Sequence, residues 1–289
     1  MLLLGSTVFA GVPDGGVAGN TGTLSPATMN DPGEDSPEDT VFRVFCFPDD
    51  RIPVMDGDAR DWAIVPDHYA VTFDEMTEDE GKYSFPDKRT LDFSVKVGWS
   101  AATGRLYFLY EAWDNYWAFS RDDLSVDIFE VVVDGDRSGG PFIARFYPFG
   151  DVPEAEAWDL FQGRHAQNYH IYTPPQNGDW CMYWGPQQWL KERPWSDYAY
   201  RYEFSEGQSG RLVLEFYITP FDYASPRGPE HSVASELWAD KLIGLCWAVI
   251  DYDNSEGKSK DGFWNLSLYH TMYGNASLLR TFRLMPPEK

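Results

Sequence analysis

Basic residues are scarce in this chain: 23 Lys and Arg stand against 46 Asp and Glu in 289 residues, a formal net charge of −23. A phosphate backbone is held by Lys and Arg that displace its counterions, and anionic lipid surfaces draw on the same charges. Nucleic acid is therefore not an expected partner, nor is an anionic membrane surface. Long hydrophobic runs are lacking too, with no stretch of about 18 apolar residues that would insert as a helix. Cysteine is sparse. Cys46, Cys181 and Cys246 form no CxxC pair, so neither a zinc knuckle nor a redox motif is present, and one disulfide plus a free thiol or three buried thiols both remain open. Nucleophile elbow, Gly-rich phosphate loop and HExxH are all absent, and no organic cofactor is expected. The five His are scattered, and only His165 and His170 lie near each other.

Aromatic residues, in contrast, are abundant: 12 Trp, 17 Tyr and 19 Phe, 17% of the chain. Such side chains fill β-sheet interiors and also make the flat platforms on which sugars stack. Along the chain, the apolar opening Met1 to Ala10 reads as a signal-peptide remnant. Residues 11–40, dominated by Gly, Pro, Ser, Thr, Asn and Asp, read as a disordered linker that cannot bury enough surface to fold. Residues 41–289 read as one domain, in which apolar and aromatic runs of strand length alternate with Gly, Asp, Asn and Pro.

The expected strands are Val41 to Phe47, Leu91 to Trp99, Arg105 to Trp113, Val126 to Val133, Ala166 to Tyr172, Tyr198 to Phe204, Arg211 to Ile218, Leu242 to Ile250, Phe263 to Leu268 and Leu278 to Leu284. In Arg211 to Ile218 the apolar Leu212, Leu214, Phe216 and Ile218 share one face. Many short strands at this spacing predict an all-β protein, an antiparallel β-sandwich of jelly-roll or immunoglobulin-like type. Its long loop insertions are Pro141 to Arg164 and Thr173 to Ser196, and loops of that length tend to carry function. Trp99, Trp113, Trp247 and Trp264 lie in strong strands and are expected in the core.

Carboxylates gather at strand ends: Asp114, then Asp134 and Asp136, then Asp251 and Asp253. Calcium takes six to eight oxygens, and a loop of Asp, Asn and carbonyl groups supplies them. Asp134-Gly135-Asp136 and Asp251-Tyr252-Asp253-Asn254 are the two candidate calcium loops. Glu130 shares a strand face with Asp134 by the two-residue period and, too costly to bury unpaired, should meet a cation or an Arg. For a sugar, the candidates are Trp117 beside Asp114, and Trp180, Trp184 and Trp189 with Gln187 in the second long loop. A pyranose stacks its C–H face on an indole while its hydroxyls bond to carboxylates and amides.

These segments occur in a telling order. Asp56-Gly57-Asp58-Ala59-Arg60-Asp61-Trp62 opens the domain, Val95 to Trp99 with Arg105 to Asn115 makes a hairpin, Asp127 to Asp134 carries Glu130, and Ile243 to Asn254 carries Asp251 and Asp253. Over about residues 50 to 284 the series resembles the family 9 carbohydrate-binding modules and their DOMON-like relatives. The resemblance implies a β-sandwich, bound calcium, and non-catalytic recognition of plant or microbial polysaccharide by a secreted protein, extracellular or periplasmic, associated with carbohydrate-degrading enzymes. It departs at one point: the two tryptophans that clamp sugar in the family would fall near Leu124 and Ser267, and neither is Trp. Reducing-end sugar recognition does not carry over. A surface or structural module without a sugar site and a carbohydrate-active hydrolase, whose acid and nucleophile are defined only by separation in space, are the alternatives. Haem bound through His170 and Met182, as some DOMON-like relatives imply, is a third.

Overall fold

The computed structural model describes residues 40–121, 123–176, 178–254 and 256–288. The expected signal-peptide remnant (1–10) and nearly all of the expected linker (11–40) lie outside them. The strands are β1 (Val41–Cys46), β2 (Val71–Thr72), β3 (Thr77–Glu78), β4 (Leu91–Ser100), β5 (Arg105–Asp114), β6 (Ile128–Asp134), β7 (Gln167–Gln176), β8 (Asp179–Tyr183), β9 (Ser196–Tyr202), β10 (Gly210–Ile218), β11 (Phe221–Tyr223), β12 (Val233–Ala234), β13 (Leu242–Asp251), β14 (Gly262–Asn265) and β15 (Arg280–Leu284). The single α-helix among the described residues is α1 (Ala157–Phe161). All ten expected strands are present, and the all-β sandwich stands.

Two layers pack face to face. One runs β8-β7-β6-β13-β15 with β14 beside β13, and the other runs β4-β5-β10-β9. They are continuous through β1, whose first half pairs with β15 and whose second half pairs with β4, both in parallel. The sheet is thus mostly but not wholly antiparallel, and it curls nearly into a barrel. At the open seam Trp180 stacks on Tyr198 with ring centroids 5.1 Å apart, and the Tyr200 hydroxyl donates to Tyr172 O at 2.8 Å.

Between the layers lies the main core. As the alternation of β10 predicts, Leu212, Leu214, Phe216 and Ile218 all point inward. Phe216 stacks on Phe108, and Phe129 on Tyr110 at 4.4 Å. Trp99, Trp247 and Trp264 are buried as expected. Trp113 is not: it stands on the outer face of β5 and is only half-buried. A second core forms on that outer face, where Phe45, Phe47, Trp62, Val65 and Tyr69 cover Tyr107, Leu109 and Tyr217. All three cysteines are free and buried, so no disulfide staples the domain.

The second core is tight at one glycine. A Cβ on Gly98 would sit 2.1 Å from Phe47 Cε2. Overpacking of this kind costs about 1–3 kcal/mol, so Gly98→Ala should lower the urea midpoint by that equivalent, with the m-value unchanged.

Candidate functional site

β5, β6 and β13 are neighbours across the two layers, and their acidic ends meet. Asp114 ends β5, Asp127 precedes β6 and Asp251 ends β13; all three are buried, with one carboxylate oxygen from each within 4.8 Å of the others. Asp127 is held by two backbone donors, Ala118 N–H at 2.7 Å and Tyr252 N–H at 2.9 Å, and Asp114 accepts from Tyr116 N–H at 2.9 Å. Asp251 Oδ1 and Asn115 Oδ1 are buried with no hydrogen-bond partner. Asp253 and Asp261 flank the group, joined when Asp253 N–H donates to Asp261 Oδ2 at 2.7 Å.

Three like charges cannot share so small a buried volume in water-like fashion. Burial, with the charge of Asp253, pushes Asp114 up to about 8. Burial and the neighbouring Asp114 push Asp127 and Asp251 well above the carboxylate range. Asp253, less enclosed, rises to about 6, again through burial first and Asp261 second. The donor set, all oxygen with two buried unpartnered acceptors among it, fits a hard divalent cation such as calcium.

The other expected calcium loop is built differently. Asp134 spends its carboxylate on its own turn, accepting from Ser138 N–H at 3.2 Å and Gly139 N–H at 2.7 Å, while Asp136 accepts from Ser138 N–H at 3.0 Å. Burial and a hydrogen bond shared with Asp136 raise Asp134 to about 7. Burial opposes the charge on Asp136, but hydrogen bonds from Asp134 and Ser138 outweigh it and hold its pKa down. Among the described residues, Asp134 and Asp136 gather no third carboxylate. Glu130, expected beside them on a cation or an Arg, faces neither: Asn168 Nδ2 donates to its Oε1 at 2.8 Å, and His170 Nε2 lies 3.7 Å away. Of the five expected metal ligands, Asp251 is in the cluster and Asp253 flanks it, while Asp134, Asp136 and Glu130 lie apart from it in turn and side-chain hydrogen bonds. Asp114, expected at a sugar, is a cluster member, and Asp127 completes it.

The expected aromatic platform is also redistributed. Trp117 is buried, stacked on Phe204 at 4.8 Å with its indole N–H donating to Gly210 O. Trp180, on a strand that its flanking Pro and Gly disguise as loop, is buried against Tyr198. Trp189 packs edge-on to Trp195 and Phe221 and donates to Ser225 O, and buried Gln187 donates to Ala224 O at 3.1 Å. Trp117, Trp180 and Gln187 are thus closed to a sugar, and Trp189 is half-buried.

Trp184 lies over the outer face of β6, β7 and β13, parallel to Tyr273 at 5.8 Å with 7° between planes, and the Trp158 ring of α1 stands 5.9 Å away, tilted by 32°. Trp158 is 44% exposed, while Trp184 and Tyr273 are half-buried. A cleft of about 260 Å³ opens beside them, lined by Pro141, Ile143, Phe149, Glu154, Trp158 and Gly274. Below the rings runs a cross-strand row, His170, Glu130, Ala248 and Asn265, one from each of β7, β6, β13 and β14. His170 Nδ1 and Asn168 Oδ1 are buried there without partners. Asn265 donates to Asp79 Oδ2 at 2.9 Å, and His270 Nδ1 lies 3.3 Å from the same oxygen.

His170 and Met182 are direct neighbours across β7 and β8 on the same face, so they cannot ligate a haem iron from opposite sides. His165 is enclosed by Phe142 and Phe146, and burial with the nearby Arg145 charge drives it down to about 4. Among the described residues, no three of the His, Cys, Asp and Glu side chains other than Asp114, Asp127 and Asp251 converge as metal ligands.

The protein is thus a curled β-sandwich with a buried carboxylate triad at one end and an aromatic group over one outer face. Its fold is shared with family 9 carbohydrate-binding modules. It is similar to such a module from Caldicellulosiruptor kristjanssonii in complex with cellotriose, at 13% identity and a TM-score of 0.53, over 86% of this chain and 95% of that one. The same holds for a family 9 module of that organism in complex with glucose, at 12% identity and a TM-score of 0.52, over 86% of this chain and 97% of that one. No protein-family model matches the chain, and no curated protein matches it in sequence.

Proposed function

We propose that this protein binds carbohydrate without hydrolysing it, through the Trp158, Trp184 and Tyr273 rings, and that calcium at Asp114, Asp127 and Asp251 holds the sandwich end together. The observation that carries the reading is the aromatic trio beside an open cleft, on a fold shared with modules bound to cellotriose and glucose. A pyranose would stack on Trp158 and Trp184, and Glu154 at the cleft wall would accept from its hydroxyls. Glu130, Asn168 and His170 then act from below as the polar floor that keeps Trp184 in place. Calcium, when bound, supplies the positive charge that lets three neighbouring carboxylates ionise together; Asp251 and Asn115, with unpaired buried oxygens, would take part in holding it. The domain would work outside the cytoplasm, in the company of carbohydrate-degrading enzymes.

Trp184→Ala should weaken binding of cellotriose by at least about tenfold, the usual cost of a central aromatic, with the thermal melt shifted only slightly because the ring is half exposed. Isothermal titration measures it. Equal affinity in native and variant protein, or sugar release from any polysaccharide incubated with the native protein, would sink the reading.

A further inference from the structure

The outer face of the β4-β5-β10-β9 layer is covered only in part. The second core screens Tyr107, Leu109 and Tyr217, but beyond Leu109 the same face of β5 continues as Glu111 and Trp113 with nothing over it. Here two cross-strand rows lie side by side. One is Asp92, Trp113 and Arg211; the other is Thr72, Ser94, Glu111, Val213 and Arg201, one residue from each of β2, β4, β5, β10 and β9. With strands about 4.8 Å apart, the second row spans about 19 Å.

Together they form a trough. A cleft of about 490 Å³ is lined by Thr72, Lys88, Asp92, Glu111, Trp113 and Arg211, and a second of about 380 Å³ begins on the far side of Arg211 toward Arg201 and Glu203. Its floor is the Trp113 ring, half exposed although Trp is ordinarily a core residue of such a strand. Its walls are unengaged: the Trp113 indole N–H, the Glu111 carboxylate and the Arg211 guanidinium make no side-chain hydrogen bond or ion pair with any described residue. In a protein of charge −23, the trough is lined by both signs, Arg211 and Lys88 beside Asp92 and Glu111, with Lys88 also paired to Asp74 at 2.6 Å.

We infer that this trough is a second carbohydrate-binding site, one that takes an internal run of a neutral polysaccharide chain laid across the strands. An aromatic floor suits the C–H face of a pyranose, and free donors and acceptors on both walls suit its hydroxyls. A lining of both signs with no basic excess favours a neutral polymer over an acidic one, and a trough extending across five strands accommodates a chain that continues past it at both ends. The inference builds on the carbohydrate reading of the fold, but it concerns the opposite layer from the Trp158, Trp184 and Tyr273 group, so the two sites can be lost separately.

The experiment is affinity electrophoresis of the native protein and of Trp113→Ala, Arg211→Ala and Trp184→Ala in gels containing hydroxyethyl-cellulose, xylan or mannan, paired with titration of cellotriose. Trp113→Ala and Arg211→Ala should each weaken retardation by at least one polymer roughly tenfold while leaving cellotriose titration unchanged, and Trp184→Ala should do the reverse. Arg211 is fully at the surface, so its variant reports on the trough even if Trp113→Ala fails to fold. Unchanged retardation in Arg211→Ala and in folded Trp113→Ala, retardation abolished by Trp184→Ala alone, or no retardation of the native protein by any of the three polymers would overturn the second site. Failure of the first site reads differently, as absence of cellotriose binding.

Discussion

Stripping divalent cations with EDTA should lower the melting temperature by roughly 10 °C at pH 8 and by much less at pH 5. A ligand bound only to the folded state at a thousand times its Kd stabilises by about 4 kcal/mol, and in a domain of this size each 1 kcal/mol moves the midpoint by about 2–4 °C. The pH dependence follows from the carboxylate triad. Without metal, folded Asp114 keeps its proton up to about 8, whereas an unfolded Asp loses it near 3.9. Asp127 and Asp251 are raised in the same sense, by burial first. Between about pH 4 and 8 the folded state therefore binds more protons than the unfolded one, and metal-free stability falls as pH rises.

Calcium at this site would reverse that slope, since binding would require the ionised triad and displace the same protons. Differential scanning calorimetry across pH 5 to 8, with EDTA and with millimolar calcium, checks both curves. Asp251→Asn sharpens the test: it relieves the repulsion, so at pH 8 it should melt above the metal-free native protein yet gain nothing from calcium. Coincident melts with EDTA and calcium at pH 8 would remove calcium from the site.

The triad also marks how far the sequence could be read. Acidic residues at strand ends were visible, and Asp114 and Asp251 were among them. Which ends converge was not, because that depends on β5, β6 and β13 meeting across two layers, a non-local pairing. Asp134 looked as good a loop as Asp251 by local pattern, but a turn with backbone N–H groups to satisfy absorbs its own Asp, and pattern alone cannot separate a capped turn from a metal loop. The strands were legible from alternation. β8 was not, because Pro174 and Pro175 at the end of β7 and Gly178 just before β8 make the stretch look like a loop, and with it Trp180 passed for a surface residue. Trp158 and Tyr273 were missed because a single aromatic in an irregular loop has no period to betray it; only the covered sheet beneath shows that they meet Trp184. Trp113 erred the other way: its strand is strong, but one face of that strand runs out from under its cover.

Replacing Glu215 by Ala should cost about 3–5 kcal/mol, one of the largest losses available to a single surface-layer substitution in this protein. Glu215 projects from β10 into the second core and is 0% exposed. Its Oε1 accepts from the Trp62 indole N–H at 2.9 Å and its Oε2 from Gly57 N–H at 2.8 Å. Those two donors belong to the Asp56 to Trp62 segment, which explains why that motif opens the domain: Gly57, at φ +79°, turns its N–H toward the carboxylate, and Trp62 follows five residues later on a short 3₁₀ turn to reach the same group.

The motif is thus a staple that pins the leading loop onto the outer sheet. Removing the acceptor leaves two buried donors unpaired at about 1–3 kcal/mol each, in a fold whose whole margin is of order 5–15 kcal/mol. Glu215→Gln retains the shape and one acceptor oxygen, and should lose about half as much. Urea titration followed by tryptophan fluorescence, with Trp62 in the reporting set, measures both variants. A Glu215→Ala midpoint within 1 kcal/mol equivalent of the native one would mean that the leading loop is held by the Phe47, Trp62 and Tyr69 rings alone, and that the carboxylate beneath it contributes nothing.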